Sequence, residues 1–559
     1  MSSTEPPTGQ PTEPPNGPPS GPLRGPDRSF GWPAHESVGG TDPAAGPVVV
    51  EETTTGPRRG LGRGLVLGGA AALLALGGAG AWAWTALGGG GERPADALPS
   101  TTFAYLAVDL DPAAGQKLEA LRTLSKFPGL ADQGVSEDKD LGTTLTDLLV
   151  DKGSCTNLDP KRDVSSWLGQ RAAVAAVTVG GDSVPVGVVQ VSDESAAGKG
   201  LLALLACSES HDAKDTSGLT PTWVLRDGWA YIAEDADTAT RVADAADGTT
   251  LAQSREFTEW TGKVGEQGLA TVYLAPKPGA QIRSLVKSFD LGSQAGNLDA
   301  VTAQYDSFQG GAATLRFADG GIELEGAGGL DDATRGMLGK GAGPALSTLP
   351  DDTLAALAVS PAKGWVDTQF AQAARGAKTD VEDFYSSVEE ATGLAMPEDL
   401  ETLFGSATVL SLGGSFDPAA VDAGGPEALP LAAKIVGDPA GISRVIGHFA
   451  STDPSLQTLL SMTFVGDDTV IVGPSGAYRG AIATGGKLGD SAAFRSVVPH
   501  ADTAVVAFYL DVDGKDNWLA NLAKDEPDVA KNLEPLKAVG LSVWPDGDTL
   551  HSRLRVTTD

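Results

Sequence analysis

The chain has 559 residues, of which 73 are acidic and 40 basic, for a formal net charge of -33, and 41% are hydrophobic. It is too long for one small module, and its acidity excludes a nucleic-acid partner, whose phosphates such a surface would repel. Two cysteines and five scattered histidines exclude a disulfide-dense scaffold and a four-thiolate zinc site and leave little material for a histidine-based metal enzyme, so no cofactor or metal is expected.

Residues 1–60 hold 13 prolines and 10 glycines with little helix or strand periodicity. Proline lacks the backbone donor and glycine the side chain that packing needs, which predicts a disordered Pro/Gly-rich tail. Residues 64–87 follow as 24 residues without a charge. As a helix they would measure about 36 Å, enough for a hydrocarbon core of roughly 30 Å. Arg58, Arg59 and Arg63 precede the run, Trp82 and Trp84 lie near its far end, and Glu92 and Asp96 follow. That asymmetry predicts a single transmembrane helix embedded in the bilayer, with the N-terminus cytoplasmic and the rest extracytoplasmic. A signal peptide cleaved near Ala81-Trp82-Ala83 is the alternative, made awkward by the long tail before the arginines. Gly64-x-x-x-Gly68 offers a close-packing face for a weak homodimer.

Beyond the run, the same blocks occur twice in one order. Leu98–Val108 matches Leu349–Val359, and Asp163–Gly169 matches Asp399–Gly405. Asp227–Ala233 then matches Asp467–Gly473, and Ser254–Phe257 matches Ser491–Phe494. The offsets stay between 236 and 251, which makes the order more persuasive than any one block. Within the copies, Asp111-Pro112 supplies a helix cap and first-turn proline, and Pro128-Gly129 a stop. Alternating apolar runs around turns predict hairpins at 174–189, 222–233, 312–325 and 540–556, with a helix over Ala196–Cys207. The expected fold class is α+β: two related units with largely antiparallel sheets, at 98–335 and 349–556, joined by a Gly-rich hinge at 336–348.

Candidate chemistry is sparse. Cys155 and Cys207 both fall outside the membrane under this topology, where oxidation is favoured, and are expected to pair, with separately buried thiols as the alternative. Asp109 and Asp111 share one side of an extended run, as do Asp511 and Asp513. Such spacing suits a cation or an acid/base pair, but helix capping by Asp111 and a turn after Asp513 explain it more simply. No nucleophile elbow, phosphate-cradling glycine loop or paired histidine is present. In the repeat motifs, Asp163, Trp167 and Gly169 and their counterparts Asp399, Phe404 and Gly405 read as structural, with Trp167 and Phe404 plugging the core beside a turn glycine.

The apolar run followed by Ala97–Tyr105, then Asp109-Leu110-Asp111-Pro112 and Lys117-Leu118, resembles actinobacterial membrane-anchored proteins with a DUF3352 domain. Asp163–Gly169 is similar to their second recurring motif. The resemblance covers roughly residues 60–559 and implies location and organisation, without a catalytic residue. The function expected is a non-enzymatic binding or scaffolding module of the cell envelope, with an envelope protein or lipid as partner. A hydrolase or a lipid or small-molecule carrier, its pocket assembled near Asp109 and Asp111, is the competing expectation.

Overall fold

The computed structural model describes residues 92–109, 114–129, 155–210, 212–288, 302–303, 305–377, 380–452 and 462–559. The tail 1–60 and the run 64–87 lie outside the described residues, and no helix among the described residues is long and apolar enough to cross a membrane.

The first copy contributes eight strands: β1 (Thr102–Asp109), β2 (Leu168–Val179), β3 (Asp182–Val191), β4 (Trp223–Arg226), β5 (Trp229–Ile232), β6 (Ala270–Leu274), β7 (Gly311–Ala318) and β8 (Gly321–Gly329). The second contributes β9 (Ala355–Val359), β10 (Ala407–Leu412), β11 (Leu431–Val436), β12 (Thr463–Val465), β13 (Thr469–Val472), β14 (Val506–Asp511), β15 (Leu536–Asp546) and β16 (Thr549–Thr558). The four hairpins read from the sequence are all present. Two of them turn through Asp227-Gly228 and Asp319-Gly320, with φ of 50° and 77° and of 46° and 74°. Positive φ at both central residues matches the twist of the flanking strands, and aspartate and glycine tolerate it.

The expectation of two units with separate sheets is wrong. All sixteen strands form one antiparallel sheet in the order β12-β13-β11-β10-β9-β14-β15-β16-β8-β7-β6-β1-β2-β3-β5-β4. Read from either edge to the middle, the two halves have the same order, each strand of one corresponding to the strand eight places later in the other. They are fused by β8 and β16, paired from Gly329↔Thr549 to Gly321↔Thr557. A half ending at β8 or β16 would leave a long row of unpaired backbone donors and acceptors, and pairing the two removes both edges. The stretch 336–348, expected as a hinge, holds the buried helix Ala342–Ser347. Gly343 donates its N–H to the Ala504 carbonyl at 3.2 Å, and a Cβ there would overlap the Ala501 carbonyl. Gly339 and Gly343 allow close packing, and Gly341 supplies a left-handed φ of 113°.

Helices pack on both faces of each half, and the largest core of each half lies on one of them. In the first, Tyr105, Val186, Tyr231, Phe257 and Tyr273 share a core; in the second, Val409, Ile482, Phe494 and Tyr509 do so. The Ser-x-x-Phe blocks explain part of this likeness. Ser254 and Ser491 cap their helices by accepting the N–H of Phe257 (3.5 Å) and Phe494 (3.0 Å). The capped turn then sets each phenyl ring against a strand tyrosine, Phe257 on Tyr273 at 5.2 Å and Phe494 on Tyr509 at 5.4 Å.

Candidate functional site

The repeat motifs organise the entry into β2 and β10. Asp163 accepts the N–H of Asp159 at 2.7 Å, and Asp399 accepts that of Ala395 at 2.9 Å, so each carboxylate ties down the turn four residues before it. Arg162 pairs with Asp163 at 2.6 Å and holds its carboxyl below the usual range, helped by the Asp159 N–H against the cost of burial. Burial opposes ionisation of Asp399, but hydrogen bonds from Arg444 (2.8 Å) and Ala395 outweigh it and keep that carboxyl low as well. The Trp167 indole is 2% exposed and donates to the Asp163 carbonyl at 2.6 Å. Phe404 packs edge-on against Trp365 at 5.0 Å. A Cβ on Gly169 would stand 2.7 Å from Gln190, and one on Gly405 would overlap the Val436 carbonyl. The motif residues serve the fold.

Cys155 and Cys207 are joined by a disulfide, Cα atoms 5.3 Å apart, which ties the segment before the first motif to the helix Glu194–Ser210. Asp109 is ion-paired with the buried Arg171, its cross-strand partner, at 3.1 Å, while Asp111 lies outside the described residues. Asp511 carries the carboxyl pushed furthest up, to about 6, by burial first and then by the neighbouring Asp513.

Two clefts adjoin the motifs. One of about 650 Å³ is lined by Lys340, Lys363, Trp365, Glu398, Glu401 and Gly405 among others, and Glu401 there accepts the Gly364 N–H at 2.6 Å. The other, of about 510 Å³, is lined by Asp159, Lys161, Arg162 and Lys214 among others. Neither is lined by Asp511 or Asp513. Among the described residues no group of three His, Cys, Asp or Glu side chains could hold a metal ion.

An extended apolar surface lies on the face of the sheet opposite the cores of Tyr105 and Tyr509. Cross-strand register sets Leu410, Leu357, Phe508, Leu541, Leu554, Leu324 and Leu315 in one row across β10, β9, β14, β15, β16, β8 and β7. The flanking rows, Leu412 to Phe317 and Thr408 to Ala313, contain no charged residue. Leu324, Leu357, Leu410 and Leu554 are 43%, 44%, 48% and 38% exposed. Seven strands at about 4.8 Å and three rows at about 6.8 Å make a patch of about 29 by 14 Å, about 400 Å², within the roughly 300–600 Å² of a protein's largest apolar patch, which is often a functional one. Helices stand on the same face around it. Ile442 of Pro439–Thr452 packs on Ile435 and Val470 at one end. Ala120 and Leu124 of Ala114–Leu124 pack on Phe317 at the other, and Ala197 and Leu201 of Glu194–Ser210 pack near Val189 and Val191 beyond. Phe317 is covered by the helix Ala114–Leu124, whose Glu119 accepts the Gly320 N–H at that end; the remaining rows form a trough with no charged residue on its floor, crossing the seam between the halves.

This trough was missed in the sequence, although the strands carry its signal. In β14 the run Val506-Ala507-Phe508-Tyr509-Leu510 is apolar at both parities, so both faces of that strand are apolar whichever one the helices cover.

The profile of a family described as "Protein of unknown function (DUF3352)" matches residues 66–404, a span that crosses from the first half into the second. No curated protein and no solved structure matches the chain.

Proposed function

Because the chain belongs to the DUF3352 family, whose description assigns no activity, we propose a function from geometry: a non-enzymatic binding module held at the outer face of an actinobacterial cell membrane. The observation that carries it is the trough spanning seven strands of the fused sheet, with no charged residue on its floor. Asp109, Asp163 and Asp399 are engaged in the fold by ion pairs or hydrogen bonds, and the trough is a large apolar surface left presented. Two features support the location. Arg58, Arg59 and Arg63 precede the uncharged run 64–87, the asymmetry of a single-pass anchor with a cytoplasmic N-terminus. The Cys155–Cys207 disulfide suits an oxidising compartment.

A nonpolar fluorophore whose emission rises on leaving water tests the reading on the full chain in mild detergent-free nanodiscs. Saturable binding is expected, lost in Leu357→Asn/Leu554→Asn with the melting transition retained. Unchanged binding by the folded variant would overturn it. Protease added to intact cells is expected to remove the sheet and spare an N-terminal tag.

A further inference from the structure

We propose that the occupant of the trough is the acyl chain of a membrane lipid, an inference that rests on the binding reading above and names its ligand. The trough offers a ligand almost nothing but hydrocarbon. Across the three rows the only side-chain hydrogen-bonding groups are the hydroxyls of Thr408 and Ser552, and the backbone beneath is paired within the sheet. The patch covers about 400 Å², half of the roughly 800 Å² that a stable protein partner buries on each side.

A second copy is also disfavoured by shape. Sheets pack face to face about 10 Å apart, and a helix lying on a sheet is itself about 10 Å thick. Pro439–Thr452 stands at one end of the trough, and Ala114–Leu124 and Glu194–Ser210 stand towards the other. Two such faces would meet through their helices before the bare strands came within packing distance. A slender chain entering between the helices has no such obstacle.

The test uses the full chain in phosphatidylethanolamine/phosphatidylglycerol vesicles containing a phospholipid with a mid-chain diazirine. After photolysis, adducts are mapped by mass spectrometry. Adducts are expected on β8, β16, β9 and β10 as well as within 64–87, with those on the strands falling at least tenfold in Leu357→Asn/Leu554→Asn and those in 64–87 unchanged. Leu324→Gln/Leu410→Gln serves as a second pair should the first fail to fold. Adducts confined to 64–87 would overturn the inference, as would equal yields at Phe464 and Val465, which are exposed on the edge strand β12. Fluorophore binding that still depends on Leu357 and Leu554 in a chain without strand adducts would sink the lipid and keep the binding face. Intermolecular crosslinking through Leu554→Cys would identify a second copy instead.

Discussion

Arg553 of β16 and Glu325 of β8 are cross-strand partners in the seam between the halves, with Nη2 and Oε1 3.0 Å apart. Arg316 of β7 bonds both Glu323 and Glu325, and Arg555 approaches Glu323 at 3.7 Å. Both glutamates are buried, on the face opposite the trough. A one-residue slip of β16 against β8 would turn Arg553 and Arg555 into the trough and send Leu554 among the charges, so the cluster fixes register as the two halves join.

Removing one partner from such a cluster strands the others. Glu325→Ala is expected to cost up to about 3–5 kcal/mol, since it leaves the largely buried Arg316, Arg553 and Arg555 to share Glu323 alone. Denaturant unfolding of the full chain measures it. A loss below about 1 kcal/mol would mean that the seam is held by its ladder and aliphatic row alone.

Cys155–Cys207 closes a sequence separation of 52 residues. Chain-entropy arguments put its contribution at about 2–4 kcal/mol, with the helix Glu194–Ser210 losing its tie to the first motif. The protein denatured without reductant should resist alkylation, and Cys155→Ser/Cys207→Ser should melt several degrees lower. Two equivalents of label on the unreduced chain would refute the pairing.

Gly405 has φ 57° and ψ -154°, a conformation closed to other residues, and packs against the Val436 carbonyl. Gly405→Ala should cost about 1–3 kcal/mol from backbone strain alone, and more because the added carbon meets that carbonyl. Gly447→Ala, whose Cβ would enter open space on the helix Pro439–Thr452, serves as the control and should be neutral or slightly stabilising. Equal effects of the two substitutions would contradict the role assigned to the motif glycine.

What could be read from the sequence divides along the range of the interactions. The hairpins through Asp227-Gly228 and Asp319-Gly320 were legible because turn chemistry and strand alternation lie within about 20 residues. The duplication was legible because corresponding blocks keep their order. The pairing of β8 with β16 was not: it joins residues 220 to 236 positions apart, and nothing in either strand alone says whether its free edge meets solvent, a helix or the other copy. Gly343, which allows close packing at Ala501, looks in sequence like a glycine that allows bending. For the site, Asp109 was legible as a residue and illegible as a partner of Arg171, 62 positions away.

Asp511 gives the chain a pH dependence of unusual sign. Burial and then the charge of Asp513 raise its folded pKa to about 6, above the ordinary value of about 3.9 for an unfolded aspartate. The folded state therefore binds the proton more tightly than the unfolded one. Its contribution is fully present below about pH 4 and is lost as pH rises to about 6 and beyond, on the order of 1 kcal/mol once solvent screening of a partly exposed group is allowed for. Asp163 and Asp399, whose folded pKa values are lowered, act in the opposite sense and lose stability as pH falls. The total profile mixes the two, so the difference between wild type and Asp511→Asn is the measurement. Melting temperatures between pH 4 and pH 7 should show the variant gaining on the wild type across that window, because asparagine keeps the neutral shape without the proton. Parallel profiles for the two proteins would show that Asp511 titrates as an ordinary surface carboxylate and that the Asp511–Asp513 pair carries no strain at neutral pH.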